Sequence, residues 1–213
     1  MKPTIITIAG PSASGKTLFA KTIHDELIEE LGDGGLSILY EDAYYRDQSH
    51  LSMKEREQTN YDHPDAFEHD LLASHLEKLT NNEAIQSPVY CYKTHTRTDE
   101  TREFSPTKII LVEGILLLSN KKLREQFDIM VYMDTPLDIC LIRRIKRDIV
   151  ERQRSVESVT NQYLETVRPM YHQYIEPSKA WADIVITRGG KNRMAIEVIK
   201  AKIRQISQLP QQQ

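Results

Sequence analysis

The chain has few cysteines, and their number and spacing exclude two classes of protein. Cys91 and Cys140 are its only two cysteines in 213 residues. Two cysteines cannot form the disulfide framework of a small secreted domain, and these two lack the spacing of a metal site. We therefore expect both to be reduced thiols in a cytoplasmic protein.

Long apolar runs are absent as well. The apolar runs, such as those at 109–112 and 115–118, fall far short of the roughly 20 residues that a membrane-spanning helix needs. The first apolar stretch, 5–9, leads straight into a glycine motif instead of a cleavage site. We therefore expect neither a signal peptide nor a membrane partner.

An excess of positive charge is also missing. Lys and Arg number 28 against 31 Asp and Glu, for a net charge of -3. This balance argues against binding to a nucleic acid polymer, which needs many cations on one face. Hydrophobic residues make up 39% of the chain and charged residues 28%, a composition typical of a folded globular protein of one domain.

The apolar pattern predicts strands that alternate with helices. Strands are expected at 4–9, 36–40, 109–113, 129–134 and 184–187, and helices at 16–31, 53–59, 66–79, 136–149, 158–174 (interrupted near Pro169) and 194–206. Such alternation indicates an α/β fold with a mainly parallel sheet flanked by helices.

One segment breaks this alternation. Strands at 88–92 and 101–104, joined by the polar segment 93–100, predict a small β-hairpin insert over about 88–106. We expect a single domain over 1–207 and a disordered tail at 208–213.

The strongest motif follows the first strand. It consists of Gly10, Pro11, Ser12, Ala13, Ser14, Gly15, Lys16 and Thr17. These residues match the P-loop pattern between a strand and a helix, where backbone N–H groups converge on phosphates. The lysine adds a mobile positive charge, and the threonine hydroxyl can bind Mg²⁺. Pro11 has no N–H, so the loop has one donor fewer.

Two carboxylates occupy the ends of other predicted strands. Asp42 follows the second strand, and Glu113 ends the apolar run 109–112. The carboxyl ends of parallel strands meet at the edge where ligands bind. Glu113 is therefore a candidate Mg²⁺ ligand, and Asp42 could deprotonate an attacking hydroxyl.

A P-loop by itself indicates only a nucleoside triphosphate. The chain has no Asn-Lys-x-Asp motif for reading guanine, and it is short for a large ATPase. A phosphotransferase for a small acceptor is therefore favoured. A nucleotide-sensing binding protein is the alternative from another class, although such a protein has no use for a base at Asp42.

Several longer segments carry a resemblance to a known family. They are 41–45 (EDAYY), 60–67 (NYDHPDAF), 88–97 (PVYCYKTHTR), 112–116 (VEGIL), 143–148 (RRIKRD) and 182–190 (ADIVITRGG). With the P-loop, they closely resemble uridine kinase (uridine-cytidine kinase) of the P-loop NTPase superfamily. The resemblance spans about 5–203 and implies a P-loop kinase fold.

The resemblance also implies roles for individual residues. Asp42 would accept the proton of the ribose 5′-hydroxyl and lie near Mg²⁺ with Thr17 and Glu113. Asp62 would hold the ribose 2′- and 3′-hydroxyls, and Gln162 would contact the nucleoside. The full implied nucleoside-binding set is Asp42, Tyr45, Tyr61, Asp62, Tyr90, Tyr92, His95, Arg144, Arg154 and Gln162.

The base pocket has support from spacing. Tyr90 and Tyr92 are two residues apart, so on a strand they share a face. One of them could pack against a flat base, and His95 could donate or accept a hydrogen bond at its edge. Without the resemblance, core positions for the tyrosines and a surface loop position for the histidine would be the more ordinary interpretations.

A basic segment resembles the arginine lid of the family, over about 143–155. Catalytic roles with Lys16 are implied for Arg144 and Arg147, and ATP contacts for Arg152 and Arg154. Arg143 and Lys146 fit a solvated helix face. Gln153 stands where the family often has glycine, so the lid here lacks a residue that bends freely.

The expected reaction is transfer of a phosphoryl group from ATP or GTP to uridine or cytidine, which gives UMP or CMP. The family implies Mg²⁺, a homo-oligomer that is often a tetramer, and pyrimidine salvage in the cytoplasm. The remaining alternative within this class is a related small-acceptor kinase of the phosphoribulokinase or pantothenate kinase type.

Overall fold

The fold comes from a computed structural model that describes residues 2–32 and 34–208. The expected disordered tail lies outside the described residues except for Gln208, which is the last residue of a helix. Among the helices of the described ranges, none is long and apolar enough to cross a membrane.

The core of the fold is a five-stranded parallel sheet with strand order β2-β5-β1-β6-β7. Its strands are β1 (Thr4–Ala9), β2 (Leu36–Tyr40), β5 (Ile109–Gly114), β6 (Ile129–Asp134) and β7 (Ile184–Thr187). The register pairs Tyr40 with Glu113 and Ala9 with Gly114. Three strands therefore end at one edge, which confirms the predicted α/β fold with its mainly parallel sheet.

Helices cover both faces of the sheet. They are α1 (Lys16–Leu31), α2 (Met53–Gln58), α3 (His69–Thr80), α4 (Lys121–Arg124), α5 (Leu137–Arg152), α6 (Val156–Gln162), α7 (Arg168–Met170), α8 (Glu176–Ser178) and α9 (Arg193–Gln208). α1 and α9 pack on the face that contains Ile6 and Ile8, and α3 packs on the face that contains Ile5. Burial on both faces explains why the strands are continuous apolar runs.

The predicted start of α3 is wrong by three residues. Residues 64–66 form a single 3₁₀ turn, and Phe67 is extended and pairs with Tyr45 in an isolated β-bridge. The helix therefore begins only at His69. This pairing anchors the segment after β2 against the segment before α3.

The predicted break in the helix near Pro169 is also absent. The chain stays helical from α6 to α8 because wide π turns at Tyr163–Val167 and Tyr171–Ile175 connect the short α-helical pieces. Proline has no N–H to donate and clashes with the preceding turn in an α-helix. The wide turn before Pro169 accommodates both effects without ending the helix.

The hairpin is longer and its turn tighter than predicted. β3 (Ile85–Cys91) and β4 (Thr96–Phe104) are antiparallel and pair from Ile85–Phe104 to Cys91–Thr96. Most of the polar segment expected to be a loop is therefore strand. Its side chains are largely exposed, since one face of a two-stranded ribbon remains open to water.

Gln153 has an unusual backbone conformation at the end of α5. Its φ and ψ are 54° and 34°, in the left-handed region, and the next N–H, of Arg154, returns to the carbonyl of Asp148. Glycine adopts this conformation without steric cost, whereas a residue with a Cβ does not.

We expect Gln153→Gly to stabilise the protein by about 1 kcal/mol, since it removes this steric cost. Chemical denaturation with urea measures the change. Gln153→Ala keeps the Cβ and should give no such gain, so equal effects of the two variants would contradict a left-handed Gln153.

Candidate active site

The P-loop of residues 10–17 connects β1 to α1. Gly10 and Gly15 have φ values of 140° and 102°, which favour glycine. A Cβ at Gly15 would lie 2.6 Å from the backbone nitrogen of Gly190. Both glycines are therefore needed, one for the turn after the strand and one for close packing against the loop after β7.

The loop contains buried polar groups that suit an anion. Lys16 is only 5% exposed, and its Nζ donates to the carbonyl of Pro11 at 3.0 Å. The buried Ser14 hydroxyl has no hydrogen-bond partner among the described residues. The loop thus supplies an ammonium, an unpaired hydroxyl and the start of α1 around the space that a phosphate group would fill.

Thr17 and Glu113 form the oxygen-rich side of this space. The Thr17 hydroxyl donates to Oε2 of Glu113 at 2.6 Å. Burial raises the pKa of Glu113, while nearby Lys16 opposes this shift. The described residues contain no group of three or more His, Cys, Asp and Glu side chains that could hold a metal alone. One or two carboxylates completed by phosphates and water are the usual environment of Mg²⁺, so these residues fit that ion.

Asp42 lies in the 3₁₀ turn Glu41–Tyr44 that follows β2 directly. Its carboxylate accepts a hydrogen bond from the Tyr92 hydroxyl at 2.5 Å. Burial raises the pKa of Asp42, and this hydrogen bond partly opposes the shift. The neighbouring charges include Lys16 and Arg152. The structure therefore brings the candidate base to the phosphate loop and joins it to the hairpin.

Asp62 lies in the same cleft. Its side chain is 4% exposed, and no described residue donates a hydrogen bond to its carboxylate. Burial raises its pKa, whereas Arg144 and Lys16 lower it. A buried carboxylate with free acceptor positions can receive two hydrogen bonds from a diol.

Five aromatic residues of the predicted base pocket lie together. Tyr92 contacts Tyr90 edge-on, with ring centroids 5.2 Å apart. Tyr61 stacks near His95 at 5.7 Å, and its hydroxyl is 3.1 Å from the carbonyl of that histidine. Tyr45 is buried against Tyr61, Tyr90 and the ring of Phe67, so it lies behind the other four.

Tyr92 is the most exposed member of this group, and His95 is the member whose ring nitrogens are unpaired within the described ranges. Tyr92 is 46% exposed, and the ring nitrogens of His95 have no hydrogen-bond partner among the described residues. Burial lowers the pKa of His95, and nearby arginines lower it further. The histidine is therefore neutral at pH 7 and able to donate or accept.

The arginine lid contacts both the P-loop and the hairpin. Arg144 donates to the Ser12 hydroxyl at 3.2 Å and to Oε1 of Gln162 at 3.0 Å. Arg154 donates to the same Gln162 oxygen at 2.6 Å. The Arg152 guanidinium lies 4.9 Å from the centroid of the Tyr92 ring. The lid thus lies over the cleft between phosphate loop and aromatic group.

The comparisons with known proteins agree with this arrangement. A sequence model of the "Phosphoribulokinase / Uridine kinase family" matches residues 5–195. The chain belongs to this family. The match covers the P-loop, both strand-end carboxylates, the hairpin and the lid.

Curated relatives and solved structures extend this result. The chain is 58% identical over 199 residues to a uridine kinase of Vibrio parahaemolyticus, with 93% of each chain covered. It is 56% identical over 202 residues to a uridine kinase of Shewanella amazonensis, with 95% of each covered.

Two solved structures share the fold. A "possible uridine kinase" from Bacillus stearothermophilus is 20% identical with a TM-score of 0.61 and covers 87% of this chain and 89% of its own. A proposed fructose transport system kinase from Silicibacter sp. is 14% identical with a TM-score of 0.69 and covers 87% and 90%.

Sequence reasoning assigned no role to Glu41, a buried acid of this kinase next to the candidate base. One of its carboxylate oxygens accepts from the N–H groups of Ile115 and Leu116 at 2.6 and 3.0 Å, and the other lies 2.8 Å from Nε2 of His69. Glu41 therefore ties the end of β2 to the end of β5. Its place beside Asp42 at a strand end was the only signal available in the sequence.

Arg143 is exposed, as expected for a solvated helix face, but it also has a role that the sequence did not indicate. Its Nη1 donates to the carbonyl of Ser14 at 3.3 Å. Arg143 therefore supports the P-loop from outside. Lys146 is also exposed, as a solvated face requires.

Proposed function

We propose that this protein is a uridine kinase that transfers the γ-phosphoryl group of ATP or GTP to the 5′-hydroxyl of uridine or cytidine. The observation that carries the proposal is the convergence of the P-loop, Asp42 and Glu113 at one sheet edge, facing an aromatic group with a free histidine. Uridine kinases that are 56–58% identical over nearly the whole chain support this assignment.

The phosphate donor would bind in the P-loop. Lys16 would leave the carbonyl of Pro11, to which it now donates, and contact the β- and γ-phosphates. The loop N–H groups and the Ser14 hydroxyl would provide further donors. Arg144, Arg147, Arg152 and Arg154 would then stabilise the charge that spreads over the transferring group.

Thr17 and Glu113, with Asp42 nearby, would hold Mg²⁺, which when bound neutralises charge on the β- and γ-phosphates. Both oxygen ligands are already adjacent, since the Thr17 hydroxyl contacts Glu113. Their hydrogen bond would be released for both oxygens to serve as ligands.

Asp42 would accept the proton of the 5′-hydroxyl as its oxygen attacks in line with the leaving group. Its raised pKa makes the carboxylate a stronger base than an exposed aspartate. Because Tyr92 now donates to this carboxylate, the nucleoside would have to displace that hydroxyl or share the acceptor with it.

The nucleoside would lie between Asp62 and the aromatic group. Asp62 has free acceptor positions for the 2′- and 3′-hydroxyls. Tyr92 and Tyr90 would pack against the base, with Tyr61 and Tyr45 behind them, and neutral His95 would hydrogen-bond its edge. Gln162 holds Arg144 and Arg154 close together, so it would connect nucleoside and lid.

This activity belongs to the salvage of pyrimidines, and we propose the cytoplasm as its location and a homotetramer as its assembly. No observation in the cleft favours a related acceptor such as ribulose 5-phosphate or pantothenate. The buried carboxyl group of Asp62 disfavours an acidic acceptor in this cleft, and the aromatic group suits a flat base.

The first prediction concerns the acceptor. ADP release in a coupled assay should be stimulated by uridine and cytidine and not by purine nucleosides, ribulose 5-phosphate or pantothenate. A sample that binds ATP without releasing ADP with any nucleoside would instead point to a nucleotide-sensing protein.

Replacing the base should slow the chemical step. Asp42→Asn should lower kcat by about 10² or more, because general-base catalysis is lost. Asp99→Asn is the matched control, since this exposed hairpin residue carries the same charge without a described partner. A residue that takes no part in the reaction should change kcat by less than about twofold. A change that small in Asp42→Asn would contradict the assignment of Asp42 as the general base.

Removing the histidine should weaken nucleoside binding selectively. His95→Ala should raise the KM for uridine by about tenfold, the effect of one lost hydrogen bond, and leave the KM for ATP within about twofold. His50→Ala, at an exposed site, should change neither. Equal increases in both KM values would mean that the hairpin does not form the base pocket.

A further inference from the structure

Asp148 is a buried acid to which sequence reasoning assigned no role. Its side chain is completely buried on the face of α5 that also buries Arg144 and Cys140, four and eight residues before it along the helix. Four guanidinium groups lie within 4 Å of its carboxylate, those of Arg144, Arg147, Arg152 and Arg154. All four were predicted to contact the substrates.

The four contacts are unequal. Only Arg147 hydrogen-bonds to the carboxylate, with Nε and Nη2 both 2.8 Å from Oδ1. Arg152, Arg154 and Arg144 lie 3.6, 3.6 and 3.8 Å away, too far for hydrogen bonds. These three arginines are therefore attracted to Asp148 by charge alone and donate no hydrogen bond to its carboxylate.

The backbone brings the second half of the lid back to this acid. The left-handed turn at Gln153 reverses the chain, and the N–H groups of Gln153 and Arg154 both donate to the carbonyl of Asp148. Asp148 therefore holds residues 153 and 154 through its backbone carbonyl, in addition to the contacts between its carboxylate and the arginines.

The charges around Asp148 do not cancel. Four cations surround one anion, which leaves three positive charges in excess. Without the carboxylate, four like charges at this distance would repel one another. Arg144 also touches the Ser12 hydroxyl of the P-loop, so the excess charge borders the space that suits phosphate.

We propose that Asp148 is a positioning residue that holds these four arginines together beside the P-loop, so that their excess positive charge faces the terminal phosphoryl group of a nucleoside triphosphate. The inference rests on the proposed function for the identity of the reaction. Its binding part requires only that the P-loop takes ATP.

A simpler role would be neutralisation of Arg147 alone, the one arginine that is hydrogen-bonded to it. The two roles differ in what the other three arginines do when the carboxylate is removed. A positioning role affects recognition of the γ-phosphate, which separates ATP from ADP. A purely structural role lowers stability and leaves that discrimination unchanged.

The test compares Asp148→Asn with Glu151→Gln. Asparagine keeps the size and can still accept from Arg147, and Glu151 is an exposed acid three residues later on α5 without a described partner. Calorimetry with ATP and ADP, without nucleoside, gives the two Kd values. Steady-state assays give kcat, and thermal unfolding shows whether each variant is folded.

We expect Asp148→Asn to reduce the preference for ATP over ADP by about fivefold or more and kcat by about tenfold or more, because the arginines separate. Glu151→Gln should change both by less than about twofold. A folded Asp148→Asn with wild-type preference and kcat would overturn the proposal.

A second comparison applies if Asp148→Asn does not fold. Arg147→Gln combined with Asp148→Asn removes the hydrogen-bonded pair together, so that neither charge is left behind. The double variant should discriminate ATP from ADP less well than Arg147→Gln alone. Equal discrimination would mean that Asp148 serves only Arg147.

These measurements also separate the inference from the proposed function. If wild type binds ATP more tightly than ADP but phosphorylates no pyrimidine nucleoside, the function is wrong and the binding comparison still decides the role of Asp148. If uridine is phosphorylated and the variants discriminate normally, only the inference fails.

Discussion

The site depends on the parallel pairing of β5 with both β1 and β2. This pairing aligns the carboxyl ends of three strands, so the P-loop, Asp42 and Glu113 meet at one edge although they are far apart in the sequence. One consequence of this alignment is the direct hydrogen bond from Thr17, at the end of the P-loop, to Glu113 of β5. Parallel sheets place ligand sites at this edge because every strand ends there in a loop or helix start.

Around that edge, the protein buries charges and holds them with specific partners. Glu41 caps two backbone N–H groups after β5, and Asp148 gathers the arginines of the lid. Burying a charge is costly unless it is paired or hydrogen-bonded. These two acids therefore fix the relative positions of the strand ends and of the lid, while substrates would supply the partners that Asp62 and Ser14 lack.

The local pattern of the sequence was sufficient for most of the fold. Continuous apolar runs identified the buried strands, and the glycines of the P-loop identified the turn into α1. The errors occurred where neighbours override local preference. The polar residues of β4 were predicted to form a loop because only one face of the hairpin is covered. The helix continues through Pro169 because a π turn precedes it.

The sequence by itself determined the phosphate loop, the strand-end acids and the family, because each depends on residues that are adjacent along the chain. Only the tertiary structure decided that Tyr92 contacts Asp42, that Arg143 supports the P-loop and that Asp148 lies among four arginines. These contacts join separate elements or depend on the turn at Gln153, and a linear pattern of charges cannot distinguish a solvated arginine from one that faces a buried carboxylate.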